Sequence, residues 1–375
     1  MKIAVVIPKY GLMGGAETFA YELTERLASR GDFHVHVFAH RWRKGNSCVR
    51  FHRVPILMFP RFLKQVSFAY FSNKMIRGQN YDLVHGHDRI LQMDLLTMHG
   101  IPHRAWIKQV RQKPQGLFDR SLDWLEKKGL KGPNIPLVMP VSSLVKNELL
   151  KRYDIPQSKI RVIHPGVSTE RFSSLRKEKH NHEIRERHGL SPDDIIVLFV
   201  GMNFEIKRLG LVMKSIAKLR ERVPNFPQLK LMVVGKGDQR HYRRIAWDLG
   251  ISEQVIFTGV VHDVEKYFLA SDIFAMPSVF DTFGLAVLEA LAARLPVIVT
   301  RSVGARDLVD DGVNGFILDR NPSTSDFARK LEILLKKDIR RQIGEIARQT
   351  ALRHSWENTA GQVAGLYHQC LKENQ

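Results

Sequence analysis

Apolar residues fall into two alternating patterns along this chain. Residues 3–7 (IAVVI) form an unbroken apolar run, the pattern of a strand buried on both faces, and a glycine-containing turn over 10–15 follows. Phe19, Ala20, Leu23 and Leu27 then recur at helical spacing, which predicts a helix over 16–30 stopped by Gly31. Strands over 35–39, 83–87, 95–98 and 138–141 and a helix over 145–152 continue the alternation. Strands that alternate with helices predict a parallel, doubly wound sheet.

The rhythm breaks over residues 164–192. This stretch, with His-Pro-Gly and then SSLRKEKHNHE, is polar and reads as a linker. Strands are then predicted over 195–200, 230–234, 255–258, 273–276 and 315–318, with helices over 210–222 and 241–249 and a short one ending near Ser271. Three more helices are expected over 325–336, 339–353 and 355–371. At 375 residues the chain suits two domains rather than one core. The expected division is 1–166 and 167–354, with the last helix, about 355–375, packing back on the first domain. Two such domains in series are expected to enclose a cleft, with the loops at strand C-termini turned toward it.

Residues 279–299, VFDTFGLAVLEALAARLPVIV, organise the second half. They read as a loop, a helix and a buried parallel strand ending in Val297, Ile298 and Val299. Gly284 lets backbone approach a ligand at the loop-to-helix junction, where free N–H groups and the helix dipole favour an anion such as phosphate. Asp281 and, eight positions later, Glu289 could accept hydrogen bonds from sugar hydroxyls.

Composition sharpens this reading. Hydrophobic residues make up 44% and charged residues 26%, values of a globular chain. Cys48 and Cys370 are the two cysteines, so no disulfide framework is expected and a reducing compartment is. The opening MKIAVVIP has too short an apolar run for a signal peptide, and no run approaches the ~20 residues of a membrane span, so a cytoplasmic location is expected. The net charge of +20 is uneven: 27 Lys and Arg face 12 Asp and Glu through Arg161, against 31 and 26 afterwards. Between Asp32 and Asp82 there is no acid, while nine Lys or Arg interleave with Trp42, Phe51, Phe59, Phe62, Phe68, Tyr70 and Phe71. The first half is therefore expected to meet something anionic, with an anionic membrane surface the favoured partner. In residues 116–131, GLFDRSLDWLEKKGLK, a helix with Phe118, Leu122 and Leu125 on one side is a second candidate for membrane adsorption.

The motifs MGGAE, PVSSLVKNEL, VIHPGVSTERF, LFVGMNFEIKR, VVGKGD, a late SW and above all FDTFGLAVLEALAARLPVIVT resemble the retaining glycosyltransferases of family four, which have the GT-B fold. The resemblance covers nearly the whole chain and looks nearest to the lipopolysaccharide core glucosyltransferases. It implies an α/β GT-B architecture of two Rossmann-like domains, the first binding an acceptor and the second a nucleotide-diphosphate sugar. Gly14 and Gly15 match the glycine loop that approaches the donor. Lys207 matches the lysine on the phosphates, and Phe283, Gly284 and Leu285 match backbone donors to phosphate. Glu289 matches the acid on the ribose, and His99 matches the active-site residue beside the donor sugar. Asp281 stands where the first acid is usually Glu and is one methylene shorter. Met202 replaces a frequent arginine, and Arg208, where a glycine is usual, is expected to supply the missing charge.

The pairs His34/His36, His85/His87 and His180/His182 bring no third and fourth ligand with them, and there is no Asp-x-Asp, so no metal and no cofactor are expected. With the resemblance, this implies a metal-independent, retaining hexosyltransferase, with UDP-glucose the best guess for the donor and a membrane-associated glycolipid such as lipopolysaccharide core for the acceptor. A polysaccharide acceptor, and mannosyl or N-acetylglucosaminyl transfer, are the near alternatives. A basic nucleic-acid-binding protein is the distant one, disfavoured because no recognised binding module is present and the charge is segregated to one half. The expected location is peripheral, on the inner face of the cytoplasmic membrane.

Overall fold

The computed structural model describes every residue except 13, 46–47, 132–133, 224–227 and 375, and leaves the side chains of 174–178 and 373–374 undescribed. The chain forms two compact units, Met1–Gly166 with Trp356–Gln375, and Val167–Ser355.

In unit 1 the strands are β1 (Lys2–Val6), β2 (Lys9–Tyr10), β3 (His34–Ala39), β4 (Arg41–Trp42), β5 (Arg50–Arg53), β6 (Leu83–Gly86), β7 (Leu95–Met98) and β8 (Leu137–Pro140). Six of them make one parallel sheet in the order β5-β3-β1-β6-β7-β8, while β2 pairs with β4 apart from it. The central β1 register, Ile3 beside Val35 and Leu83, explains the unbroken apolar run: the strand lies between neighbours on both sides, and its side chains from Ile3 to Val6 all meet core. The helices are α1 (Gly15–Ser29), α2 (Leu63–Ile76), α3 (His103–Trp106), α4 (Leu117–Leu130) and α5 (Ser143–Leu150).

Unit 2 holds α6 (Ser174–Arg187), β9 (Ile195–Gly201), α7 (Leu209–Arg222), β10 (Leu229–Gly235), α8 (Gln239–Asp248), β11 (Val255–Gly259), α9 (Val264–Ala270), β12 (Ile273–Met276), α10 (Leu285–Ala292), β13 (Val297–Thr300), β14 (Gly315–Leu318), α11 (Thr324–Leu335) and α12 (Lys337–Arg353). Its sheet is again parallel, ordered β11-β10-β9-β12-β13-β14. One face packs Phe199, Leu231, Val233 and Ile298 against Val212, Ile216, Phe327 and Leu331. Each such side chain contributes ~1.5 to 3 kcal/mol by leaving water. The last helix, α13 (Trp356–Asn374), belongs to unit 1 and packs on α1.

The polar stretch read as a linker contains a helix, α6, and this corrects the sequence reading. Among its described side chains only Ile184 is buried, too little for an apolar period to register. Tertiary polar contacts hold it instead: Arg185 donates to the carbonyls of Ser191 and Asp194 and to Asp272 at 3.2 Å, and Lys266 pairs with Glu183 at 2.9 Å. The proposed membrane side of α4 is a second correction, because Leu122 and Leu125 are buried. The exposed apolar residues of that helix are Leu117 and Trp124.

Candidate functional site

The residues singled out by the sequence gather at the C-terminal edges of the two sheets, one group on each unit. In unit 2, β9 leads through Gly201 to Lys207, and β12 leads to Asp281 and α10. The structure brings Lys207 and Asp281 together as an ion pair, with Lys207 Nζ also 3.9 Å from the Met276 sulfur. Both side chains are more than four-fifths buried, so the pair sits in a partly desolvated setting where its charges are felt strongly. Asp281 Oδ1 accepts from the Phe283 N–H at 3.2 Å, so that expected phosphate donor is already engaged. The Gly284 and Leu285 N–H groups have no acceptor among the described residues. Gly284 has φ 91°, and a Cβ there would lie 2.5 Å from Met276 Cε, so both backbone geometry and space demand glycine at the α10 cap.

Glu289 lies one turn into α10. Burial pushes its carboxyl up to about 7, against the opposing pull of Arg171 and with a smaller push from Glu265. Arg208 is placed differently from expectation. It adopts φ 57° before α7, and its guanidinium donates to the Arg320 carbonyl and to Asn321 Oδ1, both at 2.6 Å. Those bonds fasten the loop after β14 and leave Lys207 as the ammonium beside the α10 cap. In the Gly235–Asp238 turn after β10, Asp238 caps α8 by accepting from the His241 N–H at 3.1 Å.

In unit 1, Gly14 takes φ 149°, where a Cβ would fall 2.1 Å from Glu17 Oε2, and it starts α1 with no side-chain cap. The turn delivers Ala16 and Glu17 to the wall of a cavity of about 470 Å³ that His87 and His99 also line. His87 Nδ1 and His99 Nε2 are 3.2 Å apart, and Phe19 packs edge-on against His99. Behind them His85 is fixed by Tyr367 Oη at Nδ1 and Thr97 Oγ1 at Nε2, each 2.7 Å away. Burial holds His85 and His99 down to about 3 and His87 well below the usual imidazole range, so all three are neutral at pH 7. His99 was legible through its aligned setting. Its partner His87 was legible from its place at a strand end as well as its His-x-His spacing, whereas Gln65, also on the cavity wall, carried no signal. Among the described residues no group of three His, Cys, Asp or Glu side chains could hold a metal ion.

Two family profiles match the chain: "Glycosyltransferase Family 4" over residues 13–171 and "Glycosyl transferases group 1" over 180–350. The putative glycosyltransferase EpsD of Bacillus subtilis (strain 168) is 30% identical over 313 residues, 78% of each chain. The crystal structure of WaaG, a glycosyltransferase involved in lipopolysaccharide biosynthesis, aligns with TM-score 0.81 at 20% identity, covering 97% of this chain and 99% of that one. Anabaena Alr3699/HepE, solved in complex with UDP-glucose, aligns with TM-score 0.75 at 18% identity over 98% and 100% of the two chains. The chain belongs to the family-four glycosyltransferases, and its two parallel-sheet units are those of the GT-B fold.

Proposed function

We propose that this glycosyltransferase is a retaining hexosyltransferase that takes glucose from UDP-glucose and delivers it to a membrane-associated glycolipid of the lipopolysaccharide core type. The observation that carries the reading is the unit 2 constellation of Lys207, Asp281, the free Gly284 and Leu285 N–H groups and Glu289. It offers an ammonium and a helix N-terminus to a diphosphate, and carboxyl groups to hydroxyls. The UDP-glucose bound by HepE and the lipopolysaccharide role of WaaG support the choice of donor and acceptor.

In this reading unit 2 holds the nucleotide sugar and unit 1 receives the acceptor. Lys207 and the α10 amides stabilise charge growing on the departing phosphate, a task that calls for no divalent ion. The bond from anomeric carbon to phosphate oxygen breaks, and the acceptor oxygen attaches on the same face. The acceptor proton passes to the departing phosphate oxygen. His99, neutral, orients the sugar by hydrogen bonding. Exposed Leu57, Met58 and Phe59, the last 89% exposed, lie within the basic span and support adsorption to anionic membrane. No helix among the described residues is long and apolar enough to cross a membrane.

Lys207→Ala and Glu289→Ala test the reading. Each removes a charge-assisted contact worth ~1.5 to 3 kcal/mol, so each should cut transfer from UDP-glucose by at least ~10-fold. Near-normal turnover in both variants would remove the donor-site assignment.

A further inference from the structure

Three imidazoles meet toward the C-terminal ends of β6 and β7, and their bonds are unequal. His85 is spent, because Tyr367 Oη and Thr97 Oγ1 occupy both of its ring nitrogens. His87 packs on it with ring centroids 4.1 Å apart and finds no bond there. Among the described residues the one hydrogen bond of the His87 imidazole is to His99, linking Nδ1 to Nε2 at 3.2 Å.

That bond is well aligned. The two rings lie within 20° of parallel, and their centroids are 5.4 Å apart, close to the most that a 3.2 Å nitrogen pair permits. The rings therefore meet end to end, each bonding nitrogen aimed at the other in the plane of its ring. Both imidazoles are neutral at pH 7, so one nitrogen can donate and the other accept. Phe19 closes a further side, with its ring centroid 5.1 Å from that of His99 and 6.0 Å from that of His87. Packing of this kind sets the tilt of an imidazole but not which edge faces where, because rotation about its last torsion is broad and roughly two-fold. The bond to His87 removes that choice.

We propose that His87 is a positioning residue for His99: by holding Nε2, it makes Nδ1 the nitrogen that His99 offers to the donor sugar. The place of His99 beside the sugar rests on the glycosyltransferase reading above; the bond itself does not. His99 Nδ1 has no partner among the described residues. His99 keeps some exposure where His87 is 4% exposed, so of the two rings His99 is the one that a ligand in the cavity of about 470 Å³ reaches. The tautomer of His99 is tied to the same bond. Its Nδ1 accepts when Nε2 donates to His87, and donates when Nε2 accepts.

Amide side chains test which nitrogen matters, since Asn places its amide near the position of Nδ1, Gln places it near that of Nε2, and either amide can donate or accept. In transfer from UDP-glucose by the full chain, kcat of His99→Asn should exceed that of His99→Gln by about 10-fold, roughly the worth of one hydrogen bond. His87→Asn keeps a polar group where the bond to His99 is made. It should turn over about 10-fold faster than His87→Gln and His87→Leu, with similar KM for UDP-glucose in all three. Melting temperatures are measured on every variant, and a rate order that follows them instead of the amide position overturns the proposal. A second reading needs no substrate. With isotope-labelled ring nitrogens, the His99 signals, assigned by their loss in His99→Asn, should report one tautomer in the unsubstituted protein and shift or average in His87→Leu. Two tautomers in the unsubstituted protein, or unchanged signals in His87→Leu, overturn the proposal. Equal loss of turnover in the two His99 variants also overturns it and leaves His99 in its role; no loss in either removes the role of His99, and the proposal with it.

Discussion

At the residue scale the proposed donor site turns on the Lys207–Asp281 pair. The ammonium expected on the phosphates is neutralised by the very acid that stands one methylene short of the usual one, so in the proposed reaction an incoming diphosphate would compete with Asp281 for it. Asp281→Asn removes the competitor while keeping the shape. It should tighten UDP binding by about 5- to 10-fold, of the order of one charge-assisted bond, and lower turnover because a hydroxyl acceptor is lost. Calorimetry with UDP and steady-state rates check the two halves separately; weaker UDP binding would show that the pair organises the site instead. Glu289 adds a pH dependence. Its folded pKa of about 7 lies above the ordinary carboxyl value, so between that ordinary value and 7 the native state holds a proton that the unfolded chain has released. Stability contributed by this group is therefore present at low pH and lost as pH rises through 7. A ribose hydroxyl donates best to the ionised form, so UDP-glucose should bind more weakly below pH 7. Glu289→Gln should flatten both dependences in thermal-shift profiles run from pH 5 to 8.

At the element scale, what burial wrote into the sequence was legible and what tertiary polar contacts impose was not. The runs of β1, β9, β10, β12 and β13 could be read because parallel strands covered on both faces need apolar side chains at every position. Helix α6 could not, since its place depends on Arg185 reaching across to Asp272. Helix α2 and the short β4 and β5 were also missed, submerged in the basic, aromatic span between Asp32 and Asp82. The same division holds at the site. Gly284, Glu289 and Lys207 belong to motifs of local sequence, whereas the bond between His87 and His99 and the place of Gln65 emerge only when β6, β7 and α2 meet at one cavity. Helix α13 shows the long-range case in energetic form, because Tyr367 sits fully buried with its hydroxyl on His85, 282 residues away in the chain. Tyr367→Phe keeps the packing but orphans His85 Nδ1. It should lower the stability of the unit by ~1 to 3 kcal/mol in urea unfolding. An unchanged midpoint would mean that water takes over the bond.

At the scale of the whole molecule the charge is divided as the proposed substrates are. The half rich in Lys and Arg is the one assigned to a membrane-borne acceptor, and the nearly balanced half is the one assigned to a soluble nucleotide sugar. Burial of Leu122 and Leu125 moves the proposed adsorbing face of α4 to its other side, where Leu117 and Trp124 are exposed with Arg120, Lys127 and Lys128. Helix α2 packs beside it and adds exposed Tyr70, Lys64 and Lys74, and the segment ahead of α2 adds Leu57, Met58 and Phe59. Aromatic side chains set among lysines suit the headgroup layer, where each basic residue near an anionic surface is worth ~1 kcal/mol. Five engaged together would hold a protein that has no spanning helix among its described residues, and the attraction would fade as salt shortens the Debye length from ~10 Å at 0.1 M to ~3 Å at 1 M. Sedimentation with phosphatidylglycerol-containing vesicles should therefore show binding at low ionic strength that falls steeply with added salt, and little binding to pure phosphatidylcholine. Phe59→Ser with Trp124→Ser should reduce what remains at high salt, because that residue of affinity comes from apolar insertion. Equal binding to neutral and anionic vesicles, or none to either, would leave the basic face to a soluble acceptor.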